Sequence, residues 1–282
     1  MEIKLVDRST PSAFAPYVTS ATVPFLPLVR DQDKKWGAGW CTYPDGFEQN
    51  PDIEVMCGGE NHKTPKAAGI WRQGNLLHFG FDQSPAELNE TGQRLLLNSI
   101  KYISRFTEDR PIAVTPSVFG GAVAFPRAYL DRRLGESGDP SEVAAFLSNE
   151  ILHQLNPRIG DGVKAWYREH RQWLHPGPDL KLEIDNEAKR LNAPIDKPEL
   201  FEKAIAALRQ NKPEGKALLA RYAVEETASL GSADAWEKWF KDNKAYLFFS
   251  DQGDYRWYVD PLAKKRKVPT AELRGPARAS TP

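Results

Sequence analysis

Any chemistry in this chain has to come from a few side chains. Glu60-Asn61-His62-Lys63 is a run of four polar groups between Gly58-Gly59 and Thr64-Pro65, and Arg72 and His78 follow it closely. A carboxylate, an amide, an imidazole and a guanidinium gathered at the end of a sheet can hold a small polar ligand by charge-assisted hydrogen bonds. Glu60, Asn61, His62, Arg72 and His78 are therefore the candidate binding residues. His78, beside Phe79 on an extended run, reads either as a hydrogen-bonded strand histidine or as a polar group facing a pocket. Cys57, His62 and His78 have the atoms to bind a metal but lack the spacing of a metal motif, so no metal and no cofactor is expected. No catalytic residue can be assigned.

Other residues invite functional readings that their setting weakens. Asp185 and Asp260 resemble an acid/base carboxylate pair, yet each precedes a helical run and suits an N-cap. Lys264-Lys-Arg-Lys267 resembles a nucleic-acid patch but reads as a solvated helix face. Trp166, Trp173, Trp239, Tyr246, Trp257 and Tyr258 could stack on sugars, although packing is the simpler role.

The elements that would position these groups are legible locally. Asp52–Cys57 alternates polar and apolar and reads as a strand ending at Gly58-Gly59. Lys66–Arg72 and Leu76–Phe81 flank Gln73-Gly74-Asn75 as a hairpin with positive φ at its turn. Ser84-Pro85-Ala86-Glu87 has the order of a capping box that opens a helix. Leu95, Leu96, Ser99, Ile100, Ile103 and Phe106 then make a helical stripe. Residues 7–50 read mostly as loop, with short extended runs near 21–28 and 39–43.

The totals exclude some classes. The 282 residues carry 38 basic and 38 acidic side chains, so charge gives no argument for nucleic acid or an anionic membrane as partner. No apolar run reaches the ~18 residues of a membrane span. Met1-Glu-Ile-Lys-Leu-Val lacks the features of a secretory signal, so the compartment reads as cytoplasmic by default, a default that a segment preceding Met1 would overturn. Cys41 and Cys57 are the only cysteines; whether they pair stays open.

The order strand, polar loop, Arg72-Gln73-Gly74-Asn75, His78-Phe79-Gly80, then a helix with Leu96, Asn98 and Ile100, resembles the C-terminal part of ThuA-like domains. These are trehalose-utilisation relatives of class I glutamine amidotransferases. The resemblance covers about residues 50–106. It implies a flavodoxin-like α/β fold, whole or partial, and a link to carbohydrate metabolism. Such domains have several parallel strands before this point, where this chain has about 50 loop-rich residues. Neither cysteine lies in a Gly-x-Cys-x-Gly elbow, so glutamine hydrolysis is not expected.

The second half aligns with itself. Trp166–Leu174 matches Trp239–Leu247, Asp179–Asp185 matches Asp254–Asp260, Ala188-Lys189 matches Ala263-Lys264, and Pro194 matches Pro269. The offset is 73 residues at the tryptophans and 75 from the aspartates, with two residues inserted in the Phe248–Gly253 loop. Self-similarity of this kind marks tandem supersecondary units. Each unit reads as a helix (142–155 and 216–227), the Trp helix, an extended piece and a helix capped by Asp. A further helix, 198–209, lies between them.

The expected organisation is thus an α/β unit at 1–110, a linker at 111–140, and a mostly helical domain at 141–282 with two repeats, about 142–200 and 216–275. The function expected is binding of a small polar ligand at the Glu60–Lys63 and His78 end of the sheet, carbohydrate-derived as the ThuA-like resemblance implies. The rival is a protein-interaction scaffold built on the helical repeats, with the α/β unit purely structural.

Overall fold

In the computed structural model, residues 4–14, 18–31, 49–61, 64–113, 124–156, 158–223, 227, 229–252 and 254–273 are described. The chain divides into two units, one of Met1–Pro44, Asp52–Pro111 and Gly275–Pro282, the other of Asp45–Pro51 and Ile112–Arg274. Small antiparallel sheets and many helices make the class mixed α/β.

The first unit has a ribbon of β1 (Val6–Ser9) and β2 (Thr22–Phe25). Its main sheet runs in the order β3 (Ile53–Asn61), β4 (Thr64–Gln73), β5 (Leu76–Phe79), antiparallel throughout. β3 runs through Gly58-Gly59, with register shifts there, instead of ending at them. At the β4–β5 turn Gly74 has φ +55°, and a Cβ there would lie 2.7 Å from the Arg110 backbone. Glycine satisfies both demands.

Helix α1 (Glu90–Ile103) covers one face of that sheet. Ser84 and Glu87 do make reciprocal bonds, Glu87 N–H to Ser84 O (2.9 Å) and Ser84 N–H to Glu87 Oε2 (3.0 Å), but they close a turn and start no helix. The cap is Asn89, whose side chain accepts from Gly92 N–H at 2.9 Å. Its amide donates to the Pro27 and Val29 carbonyls, and its backbone N–H to that of Leu28. The start of α1 is therefore set by residues about 60 positions away. Ile100, placed on the apolar stripe by its spacing, is 57% exposed; Tyr102 turns to the sheet instead and donates to Glu54 at 2.6 Å.

The second unit begins inside the stretch read as a linker. Helix α2 (Arg127–Glu136) buries Leu130 and Leu134 completely in the core. A 3₁₀ segment, Pro140–Phe146, leads to α3 (Asn149–Leu155). The continuous helix expected over 142–155 is broken because Leu147 is extended and bridges Leu182, after which Ser148 caps α3. Then come α4 (Asp161–His170), a 3₁₀ turn at Arg171–Trp173, the hairpin of β6 (Leu174–Pro176) and β7 (Leu182–Ile184), and α5 (Asn186–Arg190).

Helices α6 (Glu199–Arg209) and α7 (Pro213–Tyr222) follow. Gly215 lets them touch, since a Cβ there would lie 2.4 Å from the Leu208 backbone nitrogen. α7 stops at Tyr222 because Ala223 is extended and bridges Trp257. Next are α8 (Ala233–Asn243), a 3₁₀ turn at Lys244–Tyr246, the hairpin of β8 (Leu247–Ser250) and β9 (Arg256–Val259), and α9 (Pro261–Arg266). Leu155, Val163, Phe201, Ala204, Leu218 and Trp257 are among the buried residues that join these elements in one core.

The two stretches that align in sequence share several local bonds. The Trp166 carbonyl meets His170 Nδ1 at 2.9 Å, and the Trp239 carbonyl accepts from Asn243 at 2.7 Å. Asp185 N–H donates to Trp173 O and Asp260 N–H to Tyr246 O, both at 2.8 Å. Asp185 accepts from Ala188 N–H, and Asp260 from Leu262 and Ala263 N–H, as N-caps. Asn192 and Lys267 both have left-handed φ.

Candidate functional site

The sheet of the first unit does not bring Arg72 and His78, the two expected binding residues whose side chains are described, to one face. Trp71 and His78 are cross-strand partners, as are Arg72 and Leu77. Neighbouring residues on a strand point to opposite faces, so Arg72 and His78 lie on opposite sides of the sheet. A single pocket between them is excluded. His78 stacks on Trp71, ring centroids 5.5 Å apart. Arg72 is fully buried beneath α1. It donates to Glu54 Oε2 (3.3 Å) and to Gly74 O (2.9 Å), lies 3.9 Å from Asp109, and packs 3.8 Å over the Phe106 ring. That is the setting of a core cation held from within through Nε and Nη1, its Nη2 having no hydrogen-bond partner among the described residues.

Glu60 and Asn61 belong to the end of β3, and Asn61 pairs with Thr64. The side chains of Glu60 and Asn61, with His62 and Lys63, lie outside the described residues, as do Cys41 and the run near 39–43. Cys57 is a free thiol whose pKa burial pushes up, the Ile70 backbone opposing this. Among the described residues no three His, Cys, Asp or Glu side chains converge as metal ligands. The aromatics of the second half are largely core: Trp166, Trp173 and Trp257 are buried, and Tyr258 stacks on Phe248.

Charged groups converge elsewhere, in a cleft of about 370 Å³ between the two hairpins of the second unit. The β6–β7 hairpin contributes His175, Gly177 and Glu183; α7 contributes Arg221 and Tyr222; the β8–β9 hairpin contributes Asp254, Tyr255 and Arg256. His175 and Glu183 are cross-strand partners, Nε2 standing 3.4 Å from Oε1. Gly177 makes room for that carboxyl, since a Cβ there would lie 2.8 Å from it. Burial pushes the His175 imidazole below its ordinary value, Arg221 acting in the same direction against the pull of Asp185. Burial pushes the Glu183 carboxyl up, helped by the charge of Asp179. Near neutral pH the imidazole is therefore uncharged.

Behind this pair lies a fixed charge network. Arg221 reaches both Asp185 and Glu187, the latter at 2.8 Å, and Tyr222 donates to Asp185 at 2.6 Å. Burial alone would raise the fully buried Asp185 carboxyl. The Ala188 N–H, the Tyr222 hydroxyl and Arg221 outweigh it and hold the group below the usual range. Arg256 Nε stands 3.7 Å from Asp254 at the other wall. The cleft thus offers two guanidinium groups, two acidic groups and a neutral imidazole to whatever enters it. Among the described lining residues there is no Ser, Thr, Cys or Lys to act as a nucleophile.

One signal in the sequence marks this place. Aligned by the tryptophan and aspartate offsets, His175 and Glu183 correspond to Phe248 and Tyr258. Phe248 and Tyr258 are also cross-strand partners, stacked at 5.7 Å. The β8–β9 hairpin has a packed aromatic pair there; the β6–β7 hairpin puts an imidazole and a carboxylate there instead. Comparisons with protein-family models, curated proteins and solved structures give no match to this chain.

Proposed function

We propose that this chain is a binding protein for a small polar ligand, held in the cleft of His175, Glu183, Arg221 and Arg256. The second unit is read as two copies of one helix–hairpin–helix module. The observation that carries the proposal is the His175–Glu183 pair, which replaces the Phe248–Tyr258 stack of the other copy. A polar pair costs packing where an aromatic pair would do, and it opens onto a cleft of the size that holds small ligands. Groups with shifted titration in such a cleft mark functional sites. The guanidinium groups suit a carboxylate and the His175–Glu183 pair suits hydroxyls, so a sugar acid fits the lining. The likeness of residues 50–106 to ThuA-like domains favours a carbohydrate-derived ligand. It rests on residues rather than on the sheet, whose described strands pair antiparallel.

The test is thermal unfolding of the full chain against sugar acids, the matching neutral sugars and amino acids, since a ligand of the native state raises Tm by mass action. The double variant His175→Phe, Glu183→Tyr installs the other copy's pair and is expected to keep the fold. A concentration-dependent rise with a sugar acid, lost in that variant, is the expected result. A rise that survives the double variant, or none across the panel, overturns the assignment of this cleft.

A further inference from the structure

The charges around the His175–Glu183 pair are unevenly matched. Glu183 faces His175 across the hairpin; Asp185 and Glu187 at the start of α5 and Arg221 of α7 also act on the imidazole. Asp179 in the β6–β7 turn and Glu150 of α3 act on the Glu183 carboxyl. The β8–β9 hairpin adds Asp254 and Arg256. Carboxylates outnumber guanidinium groups in this set, and both guanidinium groups already have acidic neighbours. Arg221 meets Asp185 and Glu187, and Arg256 stands 3.7 Å from Asp254. An anion that enters therefore also meets the field of Glu183, whose side chain is 41% exposed. Of the described lining residues, His175 alone can gain a positive charge near neutral pH. Its ring packs edge-on against Tyr222, with Nε2 3.4 Å from Glu183 Oε1. A proton taken there from solvent makes the pair neutral overall and removes the unmatched negative charge.

We infer that the cleft takes up its anion together with a proton, which His175 carries, so that affinity rises as the medium becomes more acidic. This rests on the reading of the cleft as a sugar-acid site. Burial and Arg221 keep the unliganded imidazole uncharged near neutral pH. The coupling is reciprocal: the anion favours the proton on His175 by the same factor as the proton favours the anion. An opposite charge within about 4–6 Å moves a pKa by roughly 1–3 units, and the lower end applies here because Arg221 opposes the proton.

The experiment is an NMR pH titration of the histidine ring protons of the full chain, alone and with D-glucuronate, D-gluconate or the uncharged D-glucose. His175→Gln assigns the His175 signal among the five histidines. The His175 midpoint should move up by about one pH unit with a sugar acid and stay in place with D-glucose. The same acid should bind about tenfold tighter near pH 5.5 than near pH 7.5, since one unit of pKa is a factor of ten in the linked affinity. If a sugar acid binds and the His175 midpoint does not move, or if D-glucose moves it equally, the inference falls while the reading of the cleft stands. If neither acid binds at any pH in that range, both fall.

Discussion

Asp185 and Asp260 occupy matching positions as helix caps, and removing the Asp185 carboxylate should cost more than a cap alone. Both cap a helix, so each loses a cap worth about 1 kcal/mol on change to Ala. Asp185 also receives the Tyr222 hydroxyl at 2.6 Å and the Arg221 guanidinium, with its own side chain fully buried. Hydrogen bonds to a charged group contribute about 1.5–3 kcal/mol, and a buried hydroxyl left without its acceptor adds cost. Asp185→Ala should therefore destabilise by about 3–5 kcal/mol, the range for breaking a buried pair. Asp185→Asn keeps the cap and should fall between wild type and Ala. Urea unfolding at constant m reads these differences as midpoint shifts. The Asp185 carboxyl is held below its ordinary value, so its contribution is present above that value and is lost as pH falls through the folded-state pKa. If Asp185→Ala cost no more than the about 1 kcal/mol of a lost cap, or if Asn were as damaging as Ala, the network would be ornamental and the reasoning would fail.

Arg127→Met strands the fully buried Asp251, its partner at 2.9 Å, and should cost about 3–5 kcal/mol. Adding Asp251→Asn should recover part of that loss in a double-mutant cycle, and strict additivity of the two would argue against coupling. Gly215→Ala drives a Cβ into the α6 backbone and should cost about 1–3 kcal/mol or more, whereas Gly135→Ala in α2 meets nothing within 4 Å and should be neutral or stabilising by up to about 1 kcal/mol; thermal midpoints compare them. His175 is depressed by burial, so the unfolded chain takes up its proton first as pH drops below about 6.5. Stability should fall through that window, and less steeply in His175→Gln; parallel midpoint-versus-pH lines for the two proteins would contradict this.

Local patterns in the sequence carried several elements. The Gly74 hairpin, the strand containing Cys57, the helix between residues 198 and 209 and the caps at Asp185 and Asp260 follow from alternation, helical spacing and short-range bonds. Residues i and i+3 or i and i+4 decide such features, and they are all on one line of text. What failed depended on distant partners. Asn89 displaced Ser84 as the cap because residues 27–29 receive its amide. Leu147 left the helix expected around it because Leu182 bridges it, and α2 became core where a linker was read.

The candidate site divides the same way. The self-alignment was visible in the residue order, and with it the place where His175 and Glu183 stand against Phe248 and Tyr258. The sequence by itself determined which residues align with one another and which strands and caps form locally. Only the tertiary structure decided that Arg72 is sealed under α1, that His78 faces the other side of the sheet, and that two hairpins and α7 enclose a charged cleft. Side-chain burial is a property of the packed neighbours, and a chain segment does not carry its neighbours with it.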